Sequence, residues 1–241
     1  PFQWLLVTHN ICRRRAQVRD GTKEEQLAMT GKTKEINLGN RTLLFHNQRC
    51  KEWTHPYPYQ GEGNLANSGC GIFALCHAAQ WLTGRCPNAE ALADFSVREG
   101  GRGDDGTDRP ALLQALMLRG ENVPLGFSYA GDGLRNDLDT LFQHIAVEHG
   151  VALCNLRVGH IVALVAAREV QGVKQLLAID SYSESAAEKV RDHVLEVLPD
   201  SVIAYQVKNS AGLVVGENQC YGMFWVEASL PRDFNLLHPL A

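Results

Sequence analysis

The chain has 241 residues, enough for one domain or at most two and for a core that needs no disulfide or metal staple. It is 45% apolar and 21% charged, ordinary for a globular protein, and it has no run of about 18 apolar residues of the kind a membrane-spanning helix needs. A net charge of −4 argues against a nucleic-acid partner, because the one basic cluster, "CRRR" at Cys12 to Arg15, is short and reads as a solvated patch.

The first 30 residues read as an extension with no assigned role, with a helix expected around Thr22 to Met29. The opening "PFQWLLVTHNICRRR" begins without Met and lacks the basic-then-apolar order of a signal peptide, so a processed or truncated form in the cytoplasm is expected. Residues 31–241 read as a single domain. "KEINLGNRTLLFHNQ", 34–48, alternates around a Gly-Asn turn and predicts a hairpin. "THPYPYQGEGN" follows as a Pro- and Gly-rich loop. A helix is predicted from Cys70 to Thr83, capped by Gly84. Further helices are expected from Asn88 as N-cap to Arg98, from an Asp108 cap with Pro110 in the first turn to Gly120, and from Leu134 to His149. "GRGDDGTD", 101–108, reads as a mobile connection near the rim of a cleft. Strands are expected at Val151 to Leu156, His160 to Ala167, Val173 to Asp180, Val202 to Val207 and Tyr221 to Glu227, with a surface helix from Ser185 to Leu198 between them. Helices dominate the first half and strands the second. That order predicts an α+β fold, helices packed on an antiparallel sheet.

Seven cysteines, at 12, 50, 70, 76, 86, 154 and 220, form no CxxC pair, and their number is odd. They read as reduced thiols, most of them buried packing residues. A zinc site would want tighter Cys/His pairs, so no metal and no cofactor is expected. Cys70 is the exception. It stands between Gly69 and Gly71 at the start of a helix that is apolar on almost every face. Such a helix is central and rigidly held, and its N-terminus stabilises a thiolate.

A nucleophile needs a base and an orienting group. His160 opens an apolar strand just after a glycine and is the candidate base. His77 lies two turns along the Cys70 helix and points elsewhere, and His144 and His149 read as surface residues. The short connection "REVQG" makes strands 160–167 and 173–180 a hairpin, which brings Asp180 within about three residues of the position opposite His160. An oxyanion site would use the Cys70 N–H and a side-chain amide, with Gln48, Gln60 and Asn67 as candidates.

The stretches "NQRCKEW", "NLANSGCGIFALCHA", "GVALCNLRVGHIVALV" and "LLAIDS" together resemble the papain-fold cysteine peptidases, in particular the soluble branch of the double-glycine leader peptidases of bacteriocin exporters. The resemblance covers about residues 43–183. It implies Cys70 as nucleophile, His160 as base, Asp180 as orienter and Gln48 as oxyanion donor. It also implies a papain-like fold and a peptide or protein substrate. Departures are Cys50 where the family carries Asp, Ile72 where Pro is frequent, and Ser181 where Pro often follows the Asp. The expected activity is hydrolysis of peptide or amide bonds through an acyl-enzyme on Cys70. The rival expectations are acyl transfer or Gln deamidation by the same groups, and a peptide-binding module without catalysis.

Overall fold

A computed structural model describes residues 31–39, 41–134, 137–156, 159–182, 197–227 and 233–240. The helix expected at 22–29 and most of the one expected at 185–198 lie outside these residues. The first described elements are the strands β1 (Thr33–Asn37) and β2 (Thr42–His46), paired as the expected hairpin with Asn37 opposite Thr42. The Pro- and Gly-rich loop folds into a small hairpin of β3 (Pro56–Tyr59) and β4 (Glu62–Asn64).

A one-turn helix, α1 (Leu65–Ser68), follows. The side chains of Asn64 and Asn67 each accept from the other's backbone N–H, at 3.1 and 2.9 Å, and close this turn reciprocally. The chain then enters α2 (Cys70–Thr83), which ends at Gly84 in the left-handed region (φ 72°). Every residue of α2 from Cys70 to Gln80 is buried, as its all-round apolar sequence requires.

Next come α3 (Ala89–Arg98), capped by Asn88, the paired dipeptides β5 (Arg102–Gly103) and β6 (Gly106–Thr107), and α4 (Arg109–Arg119), capped by Asp108. The remaining elements are α5 (Asn122–Leu125), β7 (Phe127–Leu134), α6 (Leu138–Ala146), β8 (Val151–Asn155), β9 (Ile161–Val170), β10 (Val173–Ile179), β11 (Val197–Lys208), β12 (Val214–Glu227) and β13 (Asp233–Pro239).

Nine strands form one sheet in the order β2-β1-β11-β12-β10-β9-β8-β13-β7, and every neighbouring pair is antiparallel. The described residues thus form a mixed α/β fold of six helices and a large antiparallel sheet. The central strands are covered on both faces. Val151, Leu153, Ile161, Ala163 and Val165 join the cluster around α2, whereas Ala152, Cys154, Val162 and Leu164 join Leu141 and Ile145 of α6. Double coverage explains why β8 and β9 are continuous apolar runs rather than alternating ones.

β2 is an edge strand, and α2 covers its free backbone. Leu44 N–H donates to Gln80 Oε1 at 3.2 Å and His46 N–H to His77 Nε2 at 3.0 Å. Burial pushes His46 down to about 4 and His77 well down, so both rings are neutral near pH 7. His77 is therefore engaged with β2.

Four expectations are corrected. The helix expected over 134–149 is α6, over 138–146 only, because Leu134 ends β7 and its N–H donates to Asp137 Oδ2 at 2.7 Å. His144 is 2% exposed rather than a surface residue, since it shares the inward stripe of α6 with Leu141 and Ile145. Val197 and Leu198, placed at the end of a helix, belong to β11. The 101–108 segment is a pinned hairpin rather than a mobile connection. The Arg102 guanidinium donates to the carbonyls of Tyr57 (3.1 Å) and Gly106 (2.9 Å).

Candidate active site

Cys70 is the first residue of α2, so its own N–H has no acceptor within the helix. The His160 ring and the backbone N–H groups of Ile161 and Gly71 lie close enough to its sulfur to favour the thiolate. Gly71 admits this approach. A Cβ there would lie 2.5 Å from both Cβ and Oγ1 of Thr107 and 3.0 Å from Cδ1 of Ile161. The β5–β6 hairpin therefore sits directly on the helix start. Tyr57 holds it there, its hydroxyl bridging Thr107 Oγ1 (2.9 Å) and Ser96 Oγ (3.0 Å).

His160 ends the turn between β8 and β9, where its carbonyl accepts from Leu156 N–H at 2.8 Å. Its Nε2–H donates to Asp180 Oδ1 at 2.6 Å, which leaves Nδ1 as the ring nitrogen for Cys70. Asp180 follows β10 directly. The β9–β10 register, with Ile179 opposite Ala163, continues to put Asp180 next to Val162 and Tyr182 next to His160. This two-residue offset falls within the expected three. Asp180 is fully buried, and Oδ1 also accepts from Tyr182 N–H at 2.8 Å.

Burial acts to raise the Cys70 thiol, but the His160 hydrogen bond and charge, with the two backbone N–H groups, prevail and bring it below the ordinary thiol range. Burial acts to lower His160, and the Asp180 carboxylate and Cys70 overcome it, pushing the imidazole up to about 10. Both directions favour a thiolate–imidazolium pair near neutral pH. Burial instead pushes Cys76 well up, Cys86 to about 11, and Cys154 and Cys220 each to about 12. Cys70 alone of these five moves down, and the six described cysteines are all free thiols.

Gln48 joins the two halves of the site. Its Nε2 donates to the carbonyl of Ala66, four residues before Cys70, at 3.3 Å. Its Oε1 accepts from Ser181 Oγ, one residue after Asp180, at 3.0 Å, and its backbone N–H donates to the Ser181 carbonyl at 2.8 Å. The amide is thereby oriented with NH₂ toward the segment that leads into α2. The other amide candidates are placed elsewhere. Gln60 is exposed at the β3–β4 turn, and Asn67 Oδ1 is spent on the α1 turn and on Ser68 Oγ (2.9 Å).

The structure therefore brings Cys70, His160 and Asp180 together and ties Gln48 to Ala66 and Ser181, neighbours of Cys70 and Asp180 in the chain. Sequence reading missed Ser181, Tyr57, Thr107 and Arg49. Ser181 was visible only as a departure from Asp-Pro, and Thr107 and Tyr57 carry no motif. Arg49 stacks on the ring of Tyr182 at 4.3 Å, and that ring lies 5.6 Å from the His160 ring, so the pair walls the imidazole side of the site. Beside the Cys70 helix start opens a groove of about 310 Å³, lined by Asp104, Asp105, Thr107, Asn155, Gly159 and Ile161 among others.

Comparison with protein-family models and with curated proteins finds no match. Among the described residues no helix is long and apolar enough to cross a membrane.

Proposed function

We propose that this protein is a papain-like thiol peptidase or amidase, related to the double-glycine peptidases, that cleaves peptide or amide bonds through an acyl-enzyme on Cys70. The observation that carries the reading is the His160 ring, bound through Nε2 to Asp180 Oδ1 at 2.6 Å and near enough to Cys70 to draw its thiol below the ordinary range. A buried helix that begins at the cysteine, packed on an antiparallel sheet whose adjacent strands carry the histidine and the aspartate, supports the papain-like architecture.

In this reading the Cys70 thiolate attacks the acyl carbonyl of a peptide laid across the start of α2. The carbonyl π electrons move to oxygen, and the oxyanion is received by the Cys70 N–H and the second amide hydrogen of Gln48. His160 gives its proton to the leaving amine as the C–N bond breaks. It then takes a proton from water, which attacks the thioester and frees the acid and the thiolate. Asp180 keeps the ring in one tautomer and orientation throughout.

The test is turnover of a peptide library with product analysis by mass spectrometry. Cys70→Ala is expected to abolish turnover, and Gln48→Ala to reduce it by about 10²–10³. The free acid is the expected product. Unchanged turnover by Cys70→Ala overturns the reading, and a new amide as the product would replace hydrolysis with acyl transfer.

A further inference from the structure

On the opposite face of the sheet from Cys70, three side chains converge whose chemistry the proposed thiol site does not use. His144 lies on α6, Glu148 follows the end of that helix, and His238 lies on β13. Glu148 Oε2 is 3.0 Å from His144 Nδ1 and 3.7 Å from His238 Nδ1. One donor atom from each residue lies within 4.8 Å of the other two. We propose that His144, Glu148 and His238 form a site for a late first-row divalent metal ion, zinc above all, that clamps the end of α6 to β13.

The orientation of His144 is the strongest argument. Its ring is held on three sides. Nε2 is 3.2 Å from the Leu237 carbonyl, an acceptor only, so Nε2 carries the hydrogen. Nε2 also packs where residue 150 has no side chain, since a Cβ on Gly150 would sit 2.1 Å from it. The ring is 2% exposed, and its edge meets the His238 ring at 4.6 Å. Nδ1, the other ring nitrogen, faces Glu148 Oε2 at 3.0 Å.

A metal ion beside this cluster would engage three donors at once. Tetrahedral bonds of about 2.0–2.2 Å from imidazole nitrogen and carboxylate oxygen place such donors roughly 3.3–3.6 Å apart, and the two separations seen, 3.0 and 3.7 Å, lie on either side of that range. The Leu237 carbonyl is the outer partner that a metal-bound histidine usually has, fixing the tautomer that leaves Nδ1 free to bind. Two imidazoles and a carboxylate suit zinc rather than the oxygen-preferring magnesium or calcium. Glu148 and His238 are 46% and 43% exposed, so the ion can enter from solvent. A hollow of about 440 Å³, lined also by Asp139, Thr140 and Gln143, leaves room for a fourth ligand.

The test is zinc binding by calorimetry and by shift of the melting temperature. The chain is first stripped with a chelator and alkylated at Cys70, which removes that thiolate as a competing ligand. One zinc ion per chain and a higher melting temperature are expected. His238→Ala and Glu148→Gln, both at partly exposed positions, should each weaken binding by at least the roughly 10–100-fold that loss of an outer partner costs. Both should also remove the thermal shift. With cobalt as a probe, visible d–d bands are expected without the near-ultraviolet charge transfer of a sulfur ligand. No binding, binding unaffected by either substitution, or a sulfur charge-transfer band would each overturn the proposal. Failure of this test leaves the chemistry proposed for Cys70 untouched, because no residue is shared.

Discussion

At the scale of single residues, the proposed chemistry depends on a charge balance that can be read directly. Cys70 lies below its ordinary value and His160 is lifted to about 10, so the ion pair persists between those limits. As pH falls, the thiolate should survive below the range in which free thiols protonate, and as pH rises the imidazolium should survive until about 10. Alkylation of Cys70 by iodoacetamide is therefore expected to stay fast in mild acid. Asp180→Asn removes the carboxylate that lifts His160. The histidine then loses its proton at lower pH and the thiol rises, and each unit of that rise slows alkylation at pH 6 by about tenfold. An unchanged rate profile would show that Asp180 does not set the pair. Ser181→Ala tests a different link. It frees the Gln48 carbonyl to turn and forfeits one hydrogen bond, about 1 kcal/mol or roughly fivefold in turnover. The alkylation rate should not change, because the thiolate's partners are untouched. A parallel loss of both would mark Ser181 as merely structural. Cys70, His160 and Asp180 stood out as candidates because each is at an element boundary with a chemical reason to be there, whereas only the family resemblance separated Gln48 from Gln60 and Asn67. Ser181 and Thr107 were not, because a small hydroxyl at a turn has the same sequence appearance whether it orients a buried amide or faces water.

At the scale of elements, legibility followed local punctuation. α2, α3 and α4 were marked by caps at Gly84, Asn88, Asp108 and Gly120, and the structure uses each of them. The β9–β10 hairpin was marked by its short turn. β7, which carries Gly131 and Gly133, had no counterpart among the expected elements. The reason lies on another strand, since the ring of Phe234 occupies the space where a Cβ on Gly133 would lie, 2.2 Å away. The β5–β6 hairpin was hidden in the same way, because its order comes from Arg102 reaching Tyr57, 45 residues away in sequence. That hairpin makes Gly71 a test of packing against propensity. Ala in a helix is favoured over Gly by about 1 kcal/mol. At 71 the new methyl would lie 2.5 Å from Thr107 Cβ, and overpacking of this kind costs about 1–3 kcal/mol. Gly71→Ala is therefore expected to lower stability in a denaturant titration and to displace the hairpin beside the groove. Adding Thr107→Ala should not restore it, because the clashing Cβ remains. A more stable Gly71→Ala protein would show that the hairpin gives way freely.

At the scale of the whole molecule, the arrangement of the site depends on the chain's last strand. β13 lies between β8 and β7, so the strand that leads to His160 is internal only because residues 233–239 pair with it. No pattern in "DFNLLHP" announces this, since the pairing joins segments about 80 residues apart. One buried ion pair reports on the closure. Arg109, at the start of α4, binds Asp233 at the start of β13 and donates to the Leu153 carbonyl of β8 at 3.1 Å. Asn155 of β8 donates to the second Asp233 oxygen at 3.0 Å. The Arg109 side chain is 9% exposed and that of Asp233 29%, so removing the carboxylate leaves a nearly buried guanidinium without its counter-charge. Breaking such a pair from one side costs about 3–5 kcal/mol, and the partial exposure of Asp233 places this one near 3. For a chain of this size, about 3 kcal/mol corresponds to a melting temperature lower by roughly 6–12 °C. Asp233→Ala is expected to show that loss in a reversible thermal melt. Asp233→Asn, which keeps the shape and one acceptor oxygen, should lose less. Because the pair joins α4 and β8 at the strand end that carries His160, the alkylation rate of Cys70 in Asp233→Ala should fall at temperatures well below the melt. A rate that follows only global unfolding would separate the ion pair from the site and assign it to stability alone.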